Sequence, residues 1–114
     1  MKDHKCRLVA TLVATLLLPP AALAGASRTA GELAGQCQLT TNLAVIVCHI
    51  YLHAVQDVLV QDRVNGFRAC LPADADIDRS VRLFVDWVAA HPPAQQAPAS
   101  DVIAQALAEA YPCD

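Results

Sequence analysis

Along residues 25–114 the apolar positions recur every three to four residues and nowhere alternate for long, which predicts helices throughout and no sheet. The strongest stretch is Asn42 to Asp62. There, residues 44, 47, 48, 51, 52, 55, 58 and 59 draw one broad apolar face, with His49, His53, Gln56, Asp57 and Val60 opposite it. Val45, Ile46 and Val47 are β-branched, so the first turns of this helix would also suit a strand. Asn65-Gly66 is expected to end it, because glycine accepts the left-handed conformation that closes helices.

Three further helices are expected around it. Thr29 to about Cys37 reads as a short helix with Thr29 as N-cap and Glu32 completing a capping box, weakened by Gly31 and Gly35. Ile77 to Ala90 follows Asp76 as N-cap, with Asp78 in the first turn and Ile77, Val81, Phe84, Val85 and Val88 as its buried stripe. His91-Pro92-Pro93 stops that helix, and Gln95 to Ser100 is a polar connection. The last helix, with Pro98 as a first helical position, turns Val102, Ile103, Ala106, Leu107 and Ala110 inward and ends at Tyr111-Pro112. The expected fold is all-α, a small bundle of about four helices.

The first 24 residues stand apart. Lys2, Lys5 and Arg7 form a basic stretch, Leu8 to Leu18 an apolar core, and Ala22-Leu23-Ala24 a small-x-small cleavage pattern, which together predict a signal peptide over residues 1–24. An apolar core of 11 residues is far shorter than the roughly 20 that span a bilayer. Cys6 lies before the apolar core, so no lipoprotein anchor is indicated. One domain, 25–114, is expected beyond it, lying in the periplasm. Composition changes accordingly: the whole chain of 114 residues has formal net charge −3, but the 90 residues after Ala24 hold five arginines, ten carboxylates and no lysine, a net of −5. Such a surface disfavours nucleic acid and anionic membranes and suits a basic protein partner. Four of the five cysteines, Cys37, Cys48, Cys70 and Cys113, fall in this part, and an exported small domain is expected to pair them in two disulfides.

Candidate chemistry is sparse. His49, His53 and Asp57 stand four apart and could project together toward a metal, but residue 50 is Ile where a zinc peptidase helix needs glutamate, so a solvated helix face explains them better. Asp74, Asp76 and Asp78 begin like a calcium loop, which fails at Arg79 and Val85, where a glycine and a glutamate belong. Nucleophilic catalysis would need a serine or cysteine beside a base, but Ser27, Ser80 and Ser100 are the only serines after the signal and the cysteines have a structural use. The expectation is therefore a protein with no catalytic residues, no metal and no cofactor.

The order of landmarks adds to this reading. Cys48-His49-Ile50-Tyr51 followed by Val55 and Asp57, Cys70-Leu71-Pro72, a helix ending in His91-Pro92, Ala106-Leu107 and Tyr111-Pro112-Cys113 resemble the Rap/Tai immunity proteins, over roughly residues 31–113. The resemblance implies a non-enzymatic, exported helical protein that binds and inhibits a peptidoglycan amidase delivered by type VI secretion; a homodimer is compatible with it. One departure stands out: where that family usually has glycine two residues after the tyrosine, this chain has His53, which would hold a neighbouring backbone further off. The competing readings are a periplasmic acid-stress chaperone of the HdeA type, weakened by the absence of lysine, and a structural envelope domain of the same fold.

In an up-and-down bundle the end of the first helix meets the start of the second, and the end of the fourth returns to the start of the third. That geometry predicts Cys37–Cys48 and Cys70–Cys113. Partner contacts are expected in loops, which vary without unfolding a small bundle. The candidates are Asn65, Phe67 and Arg68 in one turn, with Phe67 as the anchor, and His91, Gln95 and Gln96 in the connection before the last helix.

Overall fold

The computed structural model describes residues 27–114; the expected signal peptide, 1–24, lies outside them. Four α-helices follow one another: α1 Ala30–Cys37, α2 Asn42–Gln61, α3 Ile77–Ala90 and α4 Ala99–Ala110. The described residues contain no strand, only two isolated bridges, Thr29 with Pro98 and Val64 with Phe67.

Three of the four helices begin at a side chain that satisfies one of the first free N–H groups. The Thr29 hydroxyl accepts from Glu32 N while the Glu32 carboxylate accepts from Thr29 N, a complete capping box. Thr41 caps α2 by accepting from Ala44 N, and the Asp76 carboxylate caps α3 by accepting from Asp78 N. Pro98 sits one position before α4 rather than inside it, as the N-cap. Gln95 and Gln96 of the expected polar connection fall in a 3-10 turn, Pro92–Gln96, whose first residues are prolines already fixed near helical φ, and Ala99 and Ser100 belong to α4.

Two elements differ from expectation. The helix α2 ends at Gln61, with Asp62 extended (φ −153°, ψ −156°), so Asn65-Gly66 does not terminate it. These two residues instead form the tip of a tight hairpin. Val64 N donates to Phe67 O at 3.1 Å and Phe67 N to Val64 O at 2.9 Å, with Asn65 at φ 47° and Gly66 at φ 82°. Successive left-handed residues are what a two-residue hairpin turn requires, and Asn-Gly supplies both. The second difference is on α2 itself: Gln56 is buried and Val58 is exposed, the reverse of the expected assignment.

The core lies between all four helices. Leu33, Leu52, Leu59, Phe84, Ile103 and Leu107 are fully buried, one or two from each helix. The α4 contribution is small-residue packing, since Ala99, Ala104 and Ala106 are buried beside Val102 and Ile103 and let the other helices approach closely. Both expected disulfides are present. Cys37–Cys48 joins the end of α1 to α2 with Cα atoms 5.2 Å apart, and Cys70–Cys113 joins the segment before α3 to the residues after α4 at 5.1 Å. Beside the second bridge, Cys70 N donates to Tyr111 O at 2.8 Å, so the loop is held by backbone as well as sulfur.

Candidate functional site

The two loops singled out in the sequence are built on the N-terminal end of α4. In the first, Asn65 Nδ2 donates to Asp101 Oδ2 at 2.9 Å, fixing the hairpin against the first turn of α4, and Arg63 Nη1 donates to Gly66 O at 3.2 Å. Phe67 is half-buried and packs on the core from beneath the turn, so its ring supports the hairpin. Arg68 is exposed. It lines a cleft of about 210 Å³ with Leu59, Gln61, Asp62 and Arg63.

The second loop is anchored through main chain: Ala30 N donates to Ala97 O at 2.8 Å and Ala99 N to Arg28 O at 2.9 Å. The His91 ring stacks on Trp87, with centroids 3.8 Å apart and planes at 14°. Its Nδ1 lies 2.8 Å from Trp87 O, which also accepts from His91 N at 3.1 Å, and Trp87 Nε1 donates to Glu109 Oε2 at 2.9 Å. Gln95 and Gln96 are exposed and line a groove of about 510 Å³ whose other wall includes Gly31, Gly35 and Gln38 of the α1 segment and Val85 of α3. The turn approaches α1 so closely that a Cβ on Gly31 would lie 3.2 Å from Gln95 Cβ and from Gln95 O. The candidate residues therefore fall in two separate places. Arg68 faces the cleft at the end of α2, and Gln95 and Gln96 face the groove between α1 and α3.

Three of the titratable residues weighed for metal binding, His49, Asp76 and Asp78, have other partners. His49 Nε2 is 3.1 Å from Asp78 Oδ1, linking α2 to α3, and Asp76 caps α3 with Arg82 3.9 Å away. Among the described residues, no group of three or more His, Cys, Asp or Glu side chains is placed to hold a metal ion.

One surface was not foreseen. Leu43, Ile46 and Ile50 are 71%, 53% and 63% exposed, a stripe on the outer side of α2 directly opposite its buried residues Cys48, Leu52 and Leu59, and Leu39, 55% exposed, lies in the segment before the helix. The helix is apolar on two sides, which explains why, by length and composition, it passes for a membrane-crossing helix, with a mean hydropathy of 1.8. Its inner side belongs to the bundle: Cys48 is bonded to α1 and Gln56 Nε2 donates to Ser80 Oγ of α3 at 2.7 Å. The signal was present in the sequence, because 43, 46 and 50 keep helical spacing; the stronger inner stripe masked it.

Compared with known proteins, residues 29–113 match the model of one family, described as Rap1a immunity proteins. The chain matches no curated protein and no solved structure.

Proposed function

The chain belongs to the Rap1a immunity protein family, and from that premise we propose that it protects the cell envelope by binding and inhibiting a peptidoglycan amidase delivered by type VI secretion. Membership implies an immunity function against a toxin, exercised through a protein partner and without catalysis by the immunity protein itself. The finer reading adds the compartment and the target. Residues 1–24 serve as an export signal and are removed, the domain 25–114 acts in the periplasm, and the partner is an exported cysteine amidase whose cleft is covered.

The observation that carries this reading is the family match over nearly the whole described chain. The physical properties support it. An inhibitor gains affinity by being rigid before it binds, because ordering loops at the interface costs free energy. Here two disulfides staple a bundle whose exposed loops are tied down by the Asn65–Asp101 and Ala30–Ala97 hydrogen bonds. A lysine-free domain of net −5 is matched to a basic toxin surface and would be steered to it by charge. Arg68, His91, Gln95 and Gln96 are the side chains offered outward for contact, with Asn65 and Phe67 holding the hairpin that presents Arg68.

Expression of the cognate amidase in the periplasm, with and without this protein, tests the proposal. Lysis in the strain lacking it and growth in the strain carrying it are expected. Equal lysis in both strains, with the protein present in the periplasmic fraction, would reject it.

A further inference from the structure

We propose that Asn65-Gly66 is a site of self-modification, at which the Asn65 side chain loses ammonia to become a carboxylate and the hairpin thereby lets go of α4. This goes beyond toxin binding and is independent of it. Asn42 and Asn65 are the two asparagines of the chain, and only the second is followed by glycine. The reaction needs a backbone nitrogen that can reach the side chain of the preceding asparagine, and a residue without a Cβ hinders that approach least.

The hairpin leaves this nitrogen free. Its two cross-strand bonds use the N–H groups of Val64 and Phe67, and Gly66 N donates to neither carbonyl. Gly66 is exposed at φ 82°, and a Cβ built on it would meet nothing within 4 Å, so there is room for the amide to fold over and for water to follow. Asn42 differs in both respects. It is the first residue of α2, and its successor is Leu43.

The step balances without an outside reagent. Gly66 N bonds to Asn65 Cγ, the Cγ–Nδ2 bond breaks, and Nδ2 leaves as ammonia with the proton that Gly66 N gives up. The cyclic imide then takes up one water. Attack at Cγ yields aspartate, and attack at the main-chain carbonyl yields isoaspartate, which carries an extra methylene in the backbone. Both products hold a carboxylate in place of the amide.

The consequence follows from Asp101. Asn65 Nδ2 donates to Asp101 Oδ2 at 2.9 Å, while Asp101 Oδ1 accepts from Ser100 Oγ at 3.4 Å, so the carboxylate is held in place on α4. An ionised carboxylate accepts hydrogen bonds and cannot donate them. After the conversion two carboxylates face each other where a donor met an acceptor, and the tie becomes a repulsion. The new charge has a cation on its own side of the break, Arg63, whose Nη1 already donates to Gly66 O at 3.2 Å. The hairpin, and Arg68 with it, is then no longer fastened to the first turn of α4. Asp101 also sets the pace. While it holds Nδ2 the side chain is not free to turn onto Gly66 N, which makes Asp101 a positioning residue for the reaction.

The test incubates folded protein, purified as the cell processes it with both disulfides intact, for days at mildly alkaline pH beside a reduced and unfolded sample, and follows residues 42 and 65 by peptide mapping. In the folded protein a mass gain of about 1 Da with isoaspartate is expected at 65 and none at 42. Asp101→Ala should speed the conversion by about threefold or more, because no hydrogen bond has to open first. Ser80→Ala, which loosens the bundle elsewhere, should not speed it. Asn65→Asp reproduces one product and should lower the melting temperature by about 4 °C. Adding Asp101→Asn, which sets a donor against the new acceptor, should regain most of that loss; circular dichroism shows that each variant is folded. An Asn65 that stays intact in the folded protein while the unfolded chain converts would overturn the proposal. So would an unchanged rate in Asp101→Ala, an Asn65→Asp protein as stable as wild type, or a loss that Asp101→Asn does not relieve.

Discussion

Gln56 Nε2 donates to Ser80 Oγ at 2.7 Å inside the bundle, and Ser80 Oγ in turn donates to Asp76 O, so a buried polar chain connects α2 to the cap of α3. Both residues are buried, Gln56 at 8% and Ser80 at 0% exposure, and a buried amide without its acceptor costs more than the bond itself contributes. Ser80→Ala is expected to lower stability by about 1–3 kcal/mol. Replacing both residues together, Gln56→Leu with Ser80→Ala, should cost less than the two single changes added. A double-mutant cycle by urea unfolding measures this; additive costs would mean the bond does not form in solution.

The two disulfides close loops of different length, 11 and 43 residues apart in sequence. On the chain-entropy account the longer one constrains the unfolded chain more, about 4 kcal/mol against about 3 kcal/mol for the shorter. Replacing Cys70 and Cys113 by serine should therefore lower the unfolding midpoint further than replacing Cys37 and Cys48. Non-reducing peptide mapping should recover only these two pairs, and a Cys48–Cys70 peptide would contradict the helix arrangement.

At the hairpin, stability and recognition are carried by neighbouring residues. Gly66 at φ 82° is in a conformation that disfavours side chains, so Gly66→Ala should destabilise by about 1–2 kcal/mol. Phe67→Ala removes half-buried packing from the core and should cost about 2 kcal/mol before any partner is present. Arg68→Ala should leave thermal unfolding unchanged and weaken binding of the amidase. The comparison separates a supporting residue from a contacting one by calorimetry on the free protein.

The two glycines of α1 should respond in opposite directions. Alanine at Gly31 would press against Gln95 Cβ and O at 3.2 Å and force the 3-10 turn outward, which should lower the melting temperature. Alanine at Gly35 meets nothing within 4 Å and should stabilise the helix by about 0.5–1 kcal/mol. Thermal unfolding of the two variants checks the pair.

Much of this fold was legible because its boundaries are chemical. Thr29 with Glu32, Asp76 with Asp78, and His91 before two prolines mark helix ends through the hydrogen bonds they make or deny, and the structure uses them in those roles. Asn65-Gly66 was misplaced because the same left-handed preference serves both a helix stop and a hairpin tip; the choice was made by Val64 and Phe67 pairing across it. Gln56 was misread on polarity, although it lies one turn beyond Leu52 on the buried side, where a single well-placed hydroxyl, Ser80, is enough to hold it. The outer stripe of α2 escaped because a period alone does not tell an inward apolar face from an outward one when both are present. Of the candidate site, the loop positions were legible as exposed punctuation, but which side chains face out was not. Phe67 turns to the core, and that follows from the hairpin geometry, which no local pattern encodes.

The central claim is that this protein binds and silences a peptidoglycan amidase. Titration of the protein into the cognate amidase, with cleavage of a peptidoglycan stem peptide followed at each point, tests it most directly. Loss of cleavage at one immunity chain per amidase, with a dissociation constant below about 100 nM by calorimetry, is the predicted result. Undiminished cleavage at a tenfold excess of folded, disulfide-bonded protein would contradict it.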